Sequence, residues 1–293
     1  MSKVDSVEPA SLPIEMFGAA LSREQLPGLR RIPLAVRRGG EIIPAIVWLP
    51  PDDGSSPDAI SSDAGPADAG PAHGGSPGRS GARAVVLVGH GAGGHKAAPI
   101  VEGVARALAR RGCAALSIDL PYHGDRTPPD EVGLTARERR DRLGLNAWRE
   151  RNARAVNVAV ADWQAALDSA QQLDEVRHAQ VGYFGLSLGA RYGIPLVAAE
   201  PRISAAVLGL WGYAAATDPP GVAEAARQVT IPLVFLLQWD DEMYPREGGL
   251  ALFDLLASRR KTLRASPGRH MEIPPAAIAD AVRFLSDELG TMR

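Results

Sequence analysis

The feature that most constrains this chain is the stretch 181–190, where a short apolar run leads into Gly185-Leu186-Ser187-Leu188-Gly189 and then into residues suited to a helix. A strand that turns sharply into a helix needs small residues on either side of the turn, and glycines two before and two after Ser187 meet that need. The central residue can then sit in strained backbone geometry with its side chain pointing outward, which is how such a segment presents a serine hydroxyl as a nucleophile. A five-residue pattern of this kind also arises by chance in a chain with 31 glycines, so its surroundings decide. Residues 181–184 supply the strand and 188–199 the helix, each on the side of Ser187 where the pattern demands it.

The rest of the sequence alternates in the same way. Apolar runs at 84–88, 114–118, 205–210 and 233–237 read as buried strands, and 261–265 as a last one. Helical periodicity appears at 100–110, 153–173 and 276–289, and a further helix closes at 253–257. Strands alternating with helices imply an α/β fold with a mostly parallel sheet. Residues 31–37 and 41–49 are β-compatible and are separated by Gly39-Gly40, which predicts an N-terminal β-hairpin at one sheet edge. With 293 residues, 45% of them hydrophobic, the chain can bury a large core, and a single domain over 1–293 is expected. Residues 1–30 are an extended or partly helical lead-in. The segment 52–83 collapses to Gly, Ser, Pro, Asp and Ala, too little apolar surface to offset its ordering entropy, so a flexible surface loop is expected there. Residues 127–152, rich in prolines and charge, interrupt the alternation after the fourth strand and read as a helical cap insertion.

Composition narrows the partners. A net charge of -2 and a pI near 6.3 argue against a nucleic-acid binder, which needs a basic surface to neutralise phosphates, and a small-molecule partner is expected. The single cysteine, Cys113, can form neither an internal disulfide nor a zinc site by itself and reads as a small buried apolar residue. No basic N-terminal segment precedes an apolar core, and no run of about 18 apolar residues occurs. A cytoplasmic protein with no membrane partner is expected. Oligomeric state is left open.

Two other patterns compete for a function. Gly89, Gly91 and Gly94 follow a strand with the spacing of a dinucleotide fingerprint, and Asp119 ends the next strand as a ribose-binding acid would. Pro99 argues against it, because proline favours the first helical turn and places the helix start beyond the glycines that should meet a pyrophosphate. Asp119 also lies 30 residues past Gly89, further than the usual spacing of about 20. No cofactor is expected. His123 and Asp125 are too few to hold a metal, and a loop-structuring role is expected of them. Seven arginines between Arg137 and Arg154 face only Glu138, Asp141 and Glu150. They read as a solvated helix face, or else as a bias of the site toward acidic or polar acyl substrates.

A serine hydroxyl needs a base, normally a histidine held by a carboxylate. His73 falls in the low-complexity segment, His178 in a polar turn, His90 and His95 beside the glycine turn, and His123 after an earlier strand. Only His270 lies downstream of Ser187 in a loop between the last strand and the last helix, as the chain order nucleophile, acid, histidine requires. Three carboxylates are candidates for the acid: Asp218 after the sixth strand, and Asp240 and Asp241 after the seventh.

Taken together, Ser187 in its elbow, the turn His90-Gly91-Ala92-Gly93-Gly94, the 119–126 segment ending His-Gly-Asp-Arg, the 240–245 segment Asp-Asp-Glu-Met-Tyr-Pro, and His270 resemble the α/β-hydrolase superfamily. Within it the chain is similar to dienelactone-hydrolase-like and esterase-like serine hydrolases from about Arg31 onward. Dienelactone hydrolases themselves carry cysteine at the elbow, where this chain has Ser187. The resemblance implies cleavage of a carboxylic ester or related acyl bond through an acyl-enzyme. A peptidase or lactonase with the same site, or a non-catalytic binding member of the fold, is the alternative. It implies backbone donors at Ala92, with Gly91 as the neighbouring alternative, and at Leu188 for an oxyanion hole, and substrate-binding roles for Gly91, Tyr122 and Trp211. The family offers both strand ends for the acid. In its pattern the acid stands four residues before a proline, and Pro245 puts that position at Asp241. Asp218-Pro219-Pro220 reads more simply as a turn that starts the next helix.

Overall fold

The run Ala84–Gly89 is apolar at every position, and the computed structural model shows why: it is a central strand buried on both faces. The structure describes residues 28–51, 81–213 and 221–291. Nearly all of the 52–83 segment, together with His73 and Asp218, lies outside them. Eight strands, β1 (Arg30–Arg38), β2 (Glu41–Leu49), β3 (Ala84–Gly89), β4 (Ala114–Ile118), β5 (Gln180–Leu186), β6 (Ile203–Gly209), β7 (Leu233–Gln238) and β8 (Lys261–Ser266), form one sheet. Its order is β1-β2-β4-β3-β5-β6-β7-β8. The pairs from β4 through β8 are parallel, while β2 pairs antiparallel with both β1 and β4. The hairpin forms where Gly39-Gly40 marks it, with φ of 56° and 86° that suit the tight turn between right-twisted strands.

Helices cover both faces. On one, α1 (Pro99–Ala109) places Val101, Val104, Ala105 and Leu108 on a single stripe at helical spacing. It packs with α7 (Pro275–Thr291) against Val86, Val88, Phe184 and Val207. Truncating a side chain such as Leu108, fully buried there, is expected to cost about 2–5 kcal/mol. On the other face lie α3 (Leu145–Ala170), α4 (Leu188–Ala199), α5 (Val222–Ala226) and α6 (Arg246–Leu255), with Trp163 edge-on to Tyr183 at 6.2 Å. Buried Asp162 anchors α3 to the sheet by accepting from Arg38 and Arg126, both at 2.6 Å.

Sequence periodicity placed the start of the long helix at 153; the helix runs unbroken from Leu145. The polar first turns hid it, because Arg149, Glu150 and Arg154 sit on exposed positions where no apolar stripe is needed. The segment expected as an insertion therefore holds one single-turn 3₁₀ piece (Pro129–Glu131), α2 (Ala136–Leu143) and the first two turns of α3. A full capping box starts α2: the Thr135 hydroxyl accepts from the Glu138 amide while the Glu138 carboxylate accepts from the Thr135 amide. A helix was expected to begin after Pro220, and α5 begins at Val222; its five residues are too few to show a period that would have given its bounds.

Candidate active site

Ser187 stands between β5 and α4 with φ 56° and ψ -119°, a left-handed conformation that non-glycine residues rarely adopt. Its amide donates to the Gly209 carbonyl of β6 at 2.9 Å, and its carbonyl accepts from Arg191 at 3.0 Å, so both sides of the turn are tied down. Neither Gly185 nor Gly189 has a positive φ. Space is what requires them. A Cβ on Gly185 would meet the Tyr183 ring at 2.6 Å and the Gly189 carbonyl at 2.7 Å, and one on Gly189 would meet the Gly89 carbonyl at 2.9 Å. The latter packing presses the elbow against the glycine turn that follows β3.

The loops after β7 and β8 bring two further groups to Ser187. His270 Nε2 lies 3.1 Å from Ser187 Oγ, and His270 Nδ1 lies 2.7 Å from Asp241 Oδ2. All three residues are buried. The carboxylate can only accept, so Nδ1 carries the proton and Nε2 keeps its lone pair toward the serine hydroxyl. Asp241 Oδ1 accepts from the amides of Met243 and Tyr244, both at 2.8 Å, which fixes the carboxylate before the imidazole meets it. The carboxylate of Asp240, its neighbour, faces the Gly268 amide at 3.4 Å.

Ala92 lies in a β-turn closed by the Gly94 amide on the Gly91 carbonyl at 3.1 Å, with Gly93 at φ 73° in the position that demands it. His90, fully buried, holds this turn. Its Nε2 accepts from the Leu120 amide at 3.1 Å, and its Nδ1 donates to the Gly91 carbonyl at 2.8 Å. Burial above all, with His123 nearby, lowers its pKa to about 3, so the ring stays neutral. Leu188 is the first residue of α4, where a backbone N–H has no partner within the helix and the helix dipole favours negative charge.

The 119–126 segment is structural in its contacts. Buried Asp119 accepts from the Lys96 amide and ammonium, both at 2.8 Å, and from the Asp125 amide at 3.0 Å. Asp125 pairs with Lys96 at 2.7 Å, and His123 Nδ1 donates to the Pro121 carbonyl at 2.9 Å. Among the described residues no group of three or more His, Cys, Asp or Glu could hold a metal ion. Cys113 is buried at the start of β4, where loss of solvent pushes its thiol up to about 11.

Tyr122 takes φ 66° and lies under the Arg151 guanidinium at 3.8 Å. Arg151 in turn grips Glu131 through two bonds of 2.5 and 2.8 Å, and Arg139 reaches the Tyr122 carbonyl at 3.2 Å. The 127–152 segment is thus latched to the loop after β4, at the sheet edge that carries Ser187. Most of the arginines of 137–154 have chain partners: Arg137 and Arg140 with Asp141, Arg139 and Arg151 with Glu131, Arg142 with Asp130, Arg154 with Glu150. Trp211 packs against Tyr244 with ring centroids 4.6 Å apart and a tilt of 44°, and Tyr244 lies 5.5 Å from the His270 ring. Sequence reasoning named Trp211 but passed over Tyr244, whose signal was its place three residues after Asp241.

The comparisons fit this geometry. A model of the dienelactone hydrolase family matches residues 72–261, well over half of the chain. The chain is 32% identical to the polyethylene-glycol-bound structure of a cold-adapted esterase from an Arctic intertidal metagenomic library, covering 90% of this chain and 96% of that one at a TM-score of 0.66. A dienelactone hydrolase from Anabaena variabilis (20% identity, 90% and 98% covered, TM-score 0.56) and Est1E from Butyrivibrio proteoclasticus (16%, 88% and 99%, 0.56) share the fold. No curated protein matches significantly. With a mostly parallel eight-stranded sheet, an elbow at the end of its fifth strand and a matching family model, the chain belongs to the dienelactone hydrolase family of the α/β-hydrolase superfamily and is a hydrolase.

Proposed function

We propose that this protein is a serine hydrolase that cleaves a carboxylic ester through an acyl-enzyme. The observation that carries the reading is the unbroken line Asp241 Oδ2, His270 Nδ1, His270 Nε2, Ser187 Oγ, with contacts of 2.7 and 3.1 Å. Ser187 Oγ attacks the ester carbonyl carbon as its proton passes to His270 Nε2, and the imidazolium formed is stabilised by Asp241. The carbonyl oxygen takes up negative charge opposite the amides of Leu188 and Ala92. Collapse expels the alkoxide, which leaves with the proton from Nε2; water attacks the acyl-enzyme by the same route and restores Ser187. The esterase name of a 32%-identical structure supports an ester as the substrate class.

In this reading the chain works as one domain on a small molecule, in the cytoplasm. Among the described residues no helix is long and apolar enough to cross a membrane. A fluorophosphonate probe tests the reading: one adduct is expected, on the peptide carrying Ser187, and an unlabelled native protein would refute an activated serine.

A further inference from the structure

The histidine stands on a loop whose geometry depends on every residue of the segment facing it. Gln238 Nε2 donates to the carbonyls of Pro267, Arg269 and Glu272 at 3.4, 3.2 and 2.8 Å. The Trp239 amide donates to Ser266 at 2.8 Å and the Asp240 amide to Gly268 at 3.1 Å. Asp241 then takes the imidazole, and Glu242 Oε2 accepts from the main-chain N–H of His270 itself at 2.9 Å. Two consecutive carboxylates therefore hold one residue, the first by its ring and the second by its backbone.

We propose that Glu242 is a positioning residue for the base: it fixes the pivot of His270 so that one ring can meet Asp241 and Ser187 together. This rests on the serine-hydrolase reading above. The ring bonds alone set the direction of the imidazole but not the place of its Cα, which sits two residues beyond Gly268 at φ 114°. The bonds from Gln238 and Asp240 hold the turn on either side, but the Glu242 bond is made at the main chain of His270 itself; without it the ring's pivot loosens, and a displacement near 1 Å is enough to cost about a hundredfold in rate. Glu242 is suited to hold firm. Its other oxygen faces Arg269 at 3.4 Å, its side chain is 22% exposed, and despite that partial burial the His270 amide and the Arg269 charge keep its carboxyl below the usual range. No substrate contact is assigned to it.

Three full-length variants test this with a nitrophenyl ester. Glu242→Ala should lower kcat roughly tenfold to a hundredfold with KM within about twofold, because ground-state binding is untouched while the reacting geometry loosens. Glu242→Gln keeps a side-chain oxygen at the same reach and should restore kcat to within about threefold of native. Glu242→Asp keeps the charge but withdraws the acceptor by one methylene and should behave like the alanine variant, which covers the case in which Glu242→Ala does not fold. Hydrogen exchange at the His270 amide, read by NMR, should quicken in Glu242→Asp and stay slow in Glu242→Gln. Native kcat in Glu242→Ala, equal impairment of Glu242→Gln and Glu242→Ala, a rise in KM with kcat unchanged, or unaltered exchange in Glu242→Asp would each overturn the proposal. If the native protein hydrolysed no ester, the functional reading would fall, and the exchange measurement would still judge the Glu242 contact.

Discussion

The hydroxyl of Tyr183 donates to the carbonyl of Gly189 at 2.7 Å, so the strand that enters the elbow is bonded to the helix that leaves it. The ring fills a cage of four glycines: a Cβ on Gly89, Gly185 or Gly193 would collide with it, and one on Gly189 would strike the Gly89 carbonyl. Tyr183→Phe keeps the ring but leaves a buried carbonyl one partner short, and should cost about 0.5–1.5 kcal/mol in urea unfolding. Gly193→Ala should cost more, about 1–3 kcal/mol, because the methyl group meets the ring in a packed interior. A smaller loss in Gly193→Ala than in Tyr183→Phe would contradict this packing.

His90 makes stability depend on acidity. Its folded pKa, about 3, lies below the usual value near 6.5, so between those limits the unfolded chain binds a proton that the native ring refuses. Stability conferred by this residue is complete above pH 6.5 and declines as pH falls toward 3, by at most about 1.4 kcal/mol per pH unit. NMR of the ring should show the neutral Nδ1–H form unchanged from pH 8 to pH 5. Titration near pH 6.5 would contradict the burial argument.

The central strands were legible because they are apolar runs buried on both faces, and the hairpin and the elbow because glycines mark their turns; runs such as 84–88 and 114–118 differ from the observed strands by one residue at most. The start of α3 was not legible, because its first turns have no buried face. The site was legible in part. Ser187, His270 and Asp241 are residue types that chemistry names in advance, and the structure brings them together. Gln238, Glu242 and His90 act through main-chain groups of distant loops, and such partners leave no periodic or spaced trace. The arginines of 137–154 looked free in sequence because Glu131 and Asp130, which pair with three of them, lie outside that window.

Those ion pairs alter the expectation for substrate charge. With Arg139, Arg142 and Arg151 already paired to Glu131 and Asp130, a carboxylated ester should gain nothing over a neutral one from this segment. The ratio of their kcat/KM values should stay within about threefold between 50 mM and 500 mM salt, since only unscreened free charge would make it fall. A steep decline for the carboxylated ester alone would show that arginines face the site.

The acid position separates by mutation. Asp241→Asn cannot hold the imidazole in the tautomer that leaves Nε2 open to Ser187, and should lower turnover by roughly 10^4. Asp240→Asn, whose side chain makes one long contact to Gly268, should stay within about tenfold of native, and so should Asp218→Asn. Turnover on one activated ester ranks the three, and collapse of either of the latter two would move the acid there.

The most direct measurement is the turnover of Ser187→Ala on a nitrophenyl ester, made on protein whose unfolding curve matches the native one. Removing the hydroxyl that faces His270 Nε2 at 3.1 Å deletes the proposed nucleophile and should leave the sheet and its loops in place. The expected result is a loss on the order of 10^5 in kcat. Hydrolysis by a folded Ser187→Ala protein at the native rate would contradict the account.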